Sequence, residues 1–386
     1  MNVVLVLAAD TMLARVICRA LHRRGFEVLV AATSEWPICA YSRYARRTFV
    51  HADPTLDEDG FIDDLRRICE ENRVSVLLPV LGEAAVIARH RHRLGSDVRL
   101  LLGDADTLAI FADKYRTYGV AREAGVLVPE YRAVADLADD PAALAAFPCP
   151  CLAKPVWGWG GYGMHECADA RALAALVADM PETTRGGYFV QRRMAGDVVC
   201  VAMLCDAGRV HASDTFRIVA SYPGRHGQSP VRETVRCDAA VESLRGLLEH
   251  VRWSGPCQAD FIVDPATGAP YLIDINARYW NSLVQSTARG IDFPSLHCML
   301  ALGEECADVE PTAAGVTTAW LSRALRGDPA LVLRRMFARG GGLAGRGIAA
   351  CDDWDVHDPL PFFVWPVRNV LRNIMVRLAA RRGNAA

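Results

Sequence analysis

Two aspartates and an asparagine stand where a hard cation would be held. The stretch QADFIVDPATGAPYLIDIN places two β-type runs on either side of Asp264-Pro265-Ala266-Thr267-Gly268, a turn sequence. In a hairpin centred near Thr267, Asp260 and Asp274 face each other, and Asn276 follows two residues on, on the same face. The other face is Ala259, Phe261, Val263, Tyr271, Ile273 and Ile275, apolar and suited to a core. Opposed carboxylates repel unless a cation lies between them. Two carboxylates and an amide oxygen form a ligand set for Mg²⁺, usually completed by nucleotide phosphates. The alternative is a solvated acidic face with the register slipped by one residue. Arg278, on the same parity, is placed to stabilise charge developing on a phosphoryl or acyl centre.

A second signal is compositional. Of 43 Lys and Arg residues, only Lys114 and Lys154 are lysine. A general bias toward arginine leaves lysine where a compact ammonium is needed, as at phosphate sites. Lys154 precedes Gly158, Gly160, Gly161 and Gly163, whose flexible backbone N–H groups can close over phosphates. The same glycines also suit a long hairpin turn. Val190-Gln191-Arg192-Arg193-Met194-Ala195-Gly196 reads as a strand running into a glycine turn.

The elements that must position these residues fall into two styles. Over the first hundred residues strands at Val3–Leu7, Val28–Ala32, Val74–Leu78 and Leu100–Leu102 alternate with helices, which predicts a parallel sheet with helical crossovers. The first strand–helix turn, Ala8-Ala9-Asp10-Thr11, has no GxGxxG, which argues against a dinucleotide site there. Helices are expected at Lys114–Ala124 and over 135–147. From Cys151 the chain turns to strands and glycine loops.

Composition narrows the function classes. The net charge of −2 gives no basic field for nucleic acid, and 52% hydrophobic with 23% charged residues marks a globular chain. No apolar run reaches the roughly 18 residues of a membrane-spanning helix. The N-terminus lacks the basic start of a signal peptide, and thirteen scattered cysteines fit free thiols in a reducing cytoplasm.

In this order, over roughly residues 1–300, the pieces resemble the ATP-grasp superfamily, nearest to its carboxylate–amine ligases and its carbamoyl-phosphate-synthetase and biotin-carboxylase branch. The resemblance implies an α/β and α+β chain: an N-terminal parallel-sheet domain over 1–103, linker helices and a lid subdomain over 104–187, a C-terminal ATP-grasp subdomain with the Mg²⁺ site over 188–310, and an extension over 311–386. It implies that Lys114, in ADKYRTYGVAREAGVLVP, reaches the nucleotide phosphates, and that Lys154, in CLAKP, contacts the α-phosphate and adenine. The glycine loop 158–163 would cover the phosphates. Gln191, Arg192 and Met194 would form the adenine-holding hinge, and Asp197 would approach the ribose. Asp260, Asp274 and Asn276 would hold Mg²⁺, for which Mn²⁺ substitutes, and Arg278 would be the catalytic arginine. The chain departs from the commonest pattern at Tyr162, at Gln191 in place of glutamate, and in using aspartate for both acids.

The implied reaction is ATP-dependent joining of a carboxylate to an amine through an acyl phosphate, releasing ADP and phosphate. A bicarbonate-using carboxylase or carbamoyl-phosphate-type enzyme, and a nucleotide-binding module without turnover, are the alternatives. Arg217, Arg225, Arg232 and Glu233 lie in the region that borders the second-substrate pocket in such proteins, and otherwise are surface charges. Asp352, Asp353, Asp355 and Asp358 read as an acidic Pro-rich loop. Val367–Arg382 forms a basic amphipathic pattern, which either docks on its own domain or lies on a membrane surface. Partners are small-molecule substrates, with a homo-oligomer left open.

Overall fold

A computed structural model describes the chain except residues 1, 159, 221–229, 310, 313, 314, 328, 331–347 and 369–386. The N-terminal sheet consists of β1 (Val3–Val6), β2 (Glu27–Ala32), β3 (Arg47–Val50) and β4 (Val76–Leu78), all parallel, in the order β3-β2-β1-β4. Its crossover helices start at side-chain caps. Thr11 accepts from the Ala14 N–H and Asp57 from the Gly60 N–H, satisfying donors a helix start leaves open. Successive residues of β1 enter different cores, Leu5 one and Val4 and Val6 the other, as a parallel sheet covered on both faces requires. Leu100–Leu102 is not a strand: the segment makes a single bridge, Arg99 to Val76, and Arg47–Val50 supplies the fourth strand instead.

A second sheet contains β5 (Tyr131–Ala133), β6 (Cys151–Pro155), β7 (His165–Cys167) and β8 (Tyr188–Arg192) in the order β5-β8-β6-β7. It continues to residue 192, past the expected boundary at 187. The helix expected over 135–147 is two, Val134–Asp139 and Pro141–Ala146. Asp140 caps the second, and Pro141, which cannot extend the first, begins it.

The large sheet runs β13 (Pro270–Asn276), β12 (Gly255–Val263), β9 (Asp197–Asp206), β10 (Arg209–Ala220), β11 (Val231–Thr234), β14 (Thr317–Ala319) and β15 (Ile348–Cys351). One face packs Met203, Ala259 and Phe261 against Ala240, Leu244 and Leu247 of the helix Asp238–His250. The other carries Cys200, Ala202, Phe216 and Trp280, with the helix Met12–Arg23 of the N-terminal domain. Gly196 joins this sheet to the preceding one. Its φ is +138°, and a Cβ there would sit 2.1 Å from the Val263 carbonyl oxygen, so only glycine fits. Among the described residues no helix is long and apolar enough to cross a membrane.

The acidic segment after β15 is not a solvated loop. Asp352, Asp353, Asp355 and Asp358 are all buried. Asp355 accepts from Arg19 Nη1 at 3.2 Å and from the Tyr44 hydroxyl at 3.1 Å, and Asp358 accepts from the Ser42 hydroxyl at 2.7 Å. Asp353 accepts from the Leu321 and Ser322 N–H groups. Arg15 donates to the Asp352 carbonyl oxygen at 2.9 Å. The segment is thus a strap binding the C-terminal region to the first helix. Beyond it, residues 360–368 are helical, and the rest of the Val367–Arg382 pattern lies outside the described residues.

Burial alone would raise the Asp355 carboxyl, but the His357 amide, Arg19 and Tyr44 carry it below its usual value. Its contribution to stability is therefore complete above the ordinary carboxylate range and is lost as pH falls through the lowered value. Asp355→Ala is expected to lower the urea-unfolding free energy by about 3 kcal/mol at neutral pH, because it leaves buried arginine charge without its carboxylate.

Candidate active site

The hairpin of β12 and β13 sets Asp260 opposite Asp274, Ala259 opposite Ile275 and Gln258 opposite Asn276. A bulge follows between Asp260 and Phe261, so that Phe261 pairs with Leu272. The bulge corrects the expected apolar face: Leu272 is fully buried in the core, while Ile273 and Tyr271 are only half-buried. It also ends the acidic pairing beside the turn-side residues, as bulges near functional sites do.

Two further elements bring lysine to this pair. Lys114 is the first residue of the helix Lys114–Glu123, whose start is fixed by Asp113 accepting from the Arg116 N–H at 2.9 Å. Its own N–H donates to the Val156 carbonyl at 3.1 Å, which ties the helix to the end of β6. Its Nζ donates to Asp274 Oδ1. In β6, Ala153 is fully buried in the core of the second sheet, so its neighbour Lys154 points the other way. Burial pushes the Lys154 ammonium down to about 8; Lys114 adds to the shift, and Asp274 and Asp260 oppose it. Lys114, Lys154, Asp260 and Asp274 therefore share one electrostatic site. Burial first, and then the charge of Asp274, push Asp260 up to about 6, against hydrogen bonds from the Cys200 thiol and Gln258.

Arg278 completes the group. It donates to the Tyr279 carbonyl at 2.8 Å and to Asn276 Oδ1 at 2.7 Å. Burial lowers its affinity for a proton, and Asp274, Glu83 and Asp260 offset this. Glu83 comes from the N-terminal domain, where its Oε1 accepts from the Val80 and Leu81 N–H groups at 2.7 and 3.0 Å. The sequence reading missed Glu83 and Gln258. The strand–turn–helix run Val80-Leu81-Gly82-Glu83 was the available signal for the first, and the parity of Gln258 with Asp260 for the second.

The glycine loop is the turn of the β6–β7 hairpin and follows Lys154. Gly158, Gly160, Gly161 and Gly163 all have positive φ, between +66° and +137°, and Trp157 and Tyr162 are exposed. Gln191 is buried, with its Oε1 accepting from the Tyr118 hydroxyl at 2.7 Å, while Arg192 is exposed and Met194 half-buried. Asp197 is exposed and pairs with Arg217 at 3.4 Å.

The expected substrate residues do not join this group. Arg217 lies opposite Val199, which lies opposite Phe261, so Arg217 and its partner Glu233 occupy the far face of the sheet from Asp260. Arg217 Nε donates to Glu233 Oε1 at 2.8 Å, and both line a cavity of about 750 Å³ on that side. Arg232 is on the nearer face but buried, donating to Asp352 and, at 3.2 Å, to Thr318 Oγ1. A side chain 1% exposed holds the strap and is not open to a ligand. Arg225 lies outside the described residues.

The donor set fits a hard cation. Asp260 and Asp274 offer carboxylate oxygen and Asn276 its amide oxygen, and among the described residues no group of three or more His, Cys, Asp or Glu is arranged to hold a metal ion. A cation here would take its remaining ligands from phosphate and water, the usual situation of Mg²⁺. A carboxyl raised from 3.8 to about 6 in the folded chain binds more protons folded than unfolded. The Asp260 contribution to the stability of the metal-free protein should accordingly fall as pH rises from about 4 to 6, and Asp260→Asn should remove that part of the pH dependence. The difference in urea midpoints between the two proteins across that range reads this; identical pH dependence in both would show that the Asp260 carboxyl is not raised.

Residues 111–282 match the model of the ATP-grasp domain. The chain is 22% identical over 327 residues to the carbamoyl phosphate synthase large chain of Pseudothermotoga lettingae, covering 78% of this chain and 28% of that protein. It is 28% identical over 181 residues to the D-alanine–D-alanine ligase of Polaromonas naphthalenivorans, covering 42% and 54%. The chain thus spans about a quarter to a half of the length of these curated relatives. The fold is similar to the biotin carboxylase domain of Hydrogenobacter thermophilus 2-oxoglutarate carboxylase, solved with MgADP and bicarbonate (TM-score 0.65, 17% identity, 80% of this chain and 72% of that one). It is also similar to the L-amino acid ligase of Bacillus licheniformis (TM-score 0.63, 19% identity, 79% and 75%). The matched segment follows a parallel-sheet N-terminal domain, and over that segment the chain is similar to the ATP-grasp family.

Proposed function

We propose that the protein is an ATP- and Mg²⁺-dependent ligase that joins a carboxylate to an amine through an acyl phosphate. The observation that carries this reading is the gathering of both lysines with Asp260 and Asp274 at one site. The similarity to a D-alanine–D-alanine ligase and to an L-amino acid ligase supports the C–N bond-forming class.

In this reading Asp260, Asp274 and Asn276 hold Mg²⁺, which would neutralise phosphate charge as the γ-phosphoryl group moves. Lys114 exchanges its bond to Asp274 for a phosphate oxygen when nucleotide enters. Lys154 and Arg278 bring further positive charge to the same group. The substrate carboxylate oxygen takes the γ-phosphorus while its bond to the β–γ bridging oxygen breaks and ADP leaves. The amine then attacks the acyl carbon, the C–O bond to phosphate breaks, and the amine proton passes to solvent. The glycine loop between β6 and β7 covers the phosphates and keeps water from the acyl phosphate. The hinge 191–194 holds adenine through its backbone, because the Gln191 side chain is engaged by Tyr118. Free thiols throughout the described chain support a reducing, cytoplasmic setting. A bicarbonate-using reaction is the second reading, favoured by the likeness to a biotin carboxylase domain solved with bicarbonate.

ADP release measured over a panel of amino acids, amines, sugar acids and bicarbonate tests these readings. ADP formed only with an acid and an amine together is expected; dependence on bicarbonate supports the second reading, and AMP as product would overturn both. Asp274→Ala should abolish Mg²⁺-dependent turnover. Lys154→Arg should lose at least about tenfold in rate, since a planar guanidinium does not replace a compact ammonium. Because Lys154 titrates at about 8, nucleotide affinity of the free protein should fall as pH rises through that value. That limb should be absent in Lys154→Arg, as calorimetry across the range would reveal.

A further inference from the structure

The two amides beside the carboxylate pair belong to a chain of hydrogen bonds whose direction is fixed at both ends. Arg278 Nη2 donates to Asn276 Oδ1 at 2.7 Å, Asn276 Nδ2 donates to Gln258 Oε1 at 3.1 Å, and Gln258 Nε2 donates to Asp260 Oδ1 at 2.5 Å. A guanidinium carries no acceptor and an ionised carboxylate no donor. Neither amide can therefore turn over without setting donor against donor or acceptor against acceptor. The strand register enforces the arrangement, since Gln258 lies directly opposite Asn276 and Asp260 opposite Asp274. Gln258 is 7% exposed, so little water competes for its amide.

We propose that Gln258 is a positioning residue: by accepting from the Asn276 nitrogen it leaves the Asn276 oxygen as the end available to a cation, and it steadies Asp260. The two ends of an asparagine amide have nearly the same shape, but only the oxygen ligates a hard cation. Arg278 favours the oxygen from one side; without Gln258 the Asn276 nitrogen would have no acceptor, and the amide would be held from one end only. Gln258 supplies that acceptor, and its nitrogen anchors the carboxylate that bears the same cation. The proposal rests on the reading of Asp260, Asp274 and Asn276 as ligands of a divalent cation.

The test is Mn²⁺ binding by electron paramagnetic resonance in the presence of ADP, at a pH above the Asp260 titration, for the full chain. Gln258→Met removes both hydrogen bonds at similar volume, and about tenfold or greater loss of Mn²⁺ affinity is expected, as for other residues that orient metal ligands. Asn276→Asp, introduced into Gln258→Met, should restore most of that affinity, because a carboxylate shows oxygen at either end. A packing role predicts that Asn276→Asp raises affinity by the same factor in the wild-type background as in Gln258→Met, whereas positioning predicts a clearly larger factor in Gln258→Met. Wild-type affinity in Gln258→Met, or a double variant as weak as the single one, would overturn the proposal. Thermal unfolding without metal identifies a variant that does not fold. In that event Gln258→Leu, which also removes both hydrogen bonds, takes its place with the same loss and the same rescue by Asn276→Asp expected; wild-type affinity there overturns the proposal. Wild-type protein that binds no Mn²⁺ with ADP would instead remove the cation reading beneath it.

Discussion

Two negative charges face each other across neighbouring strands, and much of the molecule is arranged around that opposition. Asp260 and Asp274 share a register position in β12 and β13, a placement that costs stability unless positive charge is supplied. Without nucleotide, the supply comes from Lys114, bonded to Asp274, with Lys154 and Arg278 nearby. The elements carrying these cations are distant in sequence: a linker helix, the second sheet and the end of β13. The helix bearing Lys114 is held by local backbone contacts, the Asp113 cap and the Lys114 N–H bond to Val156. A cluster of this kind, with a carboxyl raised and an ammonium lowered, is poised to accept an ion and an anionic ligand.

The large sheet divides tasks between its faces. Alternation along β9 and β12 sends Ala259 and Phe261 into the core beneath the helix Asp238–His250 and leaves Gln258 and Asp260 on the other side. The same rule carries Arg217 and Glu233 away from the site. Their cavity of about 750 Å³ is lined by charges already paired within the protein, Arg217 with Glu233 and Arg236 with Asp238. Volume alone does not make it the centre of the chemistry.

The strap of buried aspartates shows a different use of charge. Arg15 and Arg19 on the first helix, and Arg232 on β11, meet Asp355 and Asp352 across more than a hundred residues of sequence. Such pairs cost desolvation and return it only when every partner is present, so they fix one arrangement more than they add stability. Here they fasten the segment after β15 to the N-terminal domain, and so join the two ends of the described fold.

The sequence alone determined the local pieces: alternating strands and helices at the start, the hairpin about Thr267, the opposition of Asp260 and Asp274, and the two lysines as residues set apart among 43 cations. These were legible because turn chemistry and a period of two act within a few residues, and because lysine had become rare. Only the tertiary structure decided that Lys114 meets Asp274, that Glu83 approaches Arg278 and that the acidic tail is buried. It also decided that one extra residue at Ile273 exchanges places with Leu272 in the core. Contacts of that kind depend on which surfaces pack together and where a strand bulges, and neither leaves a periodic trace in the chain.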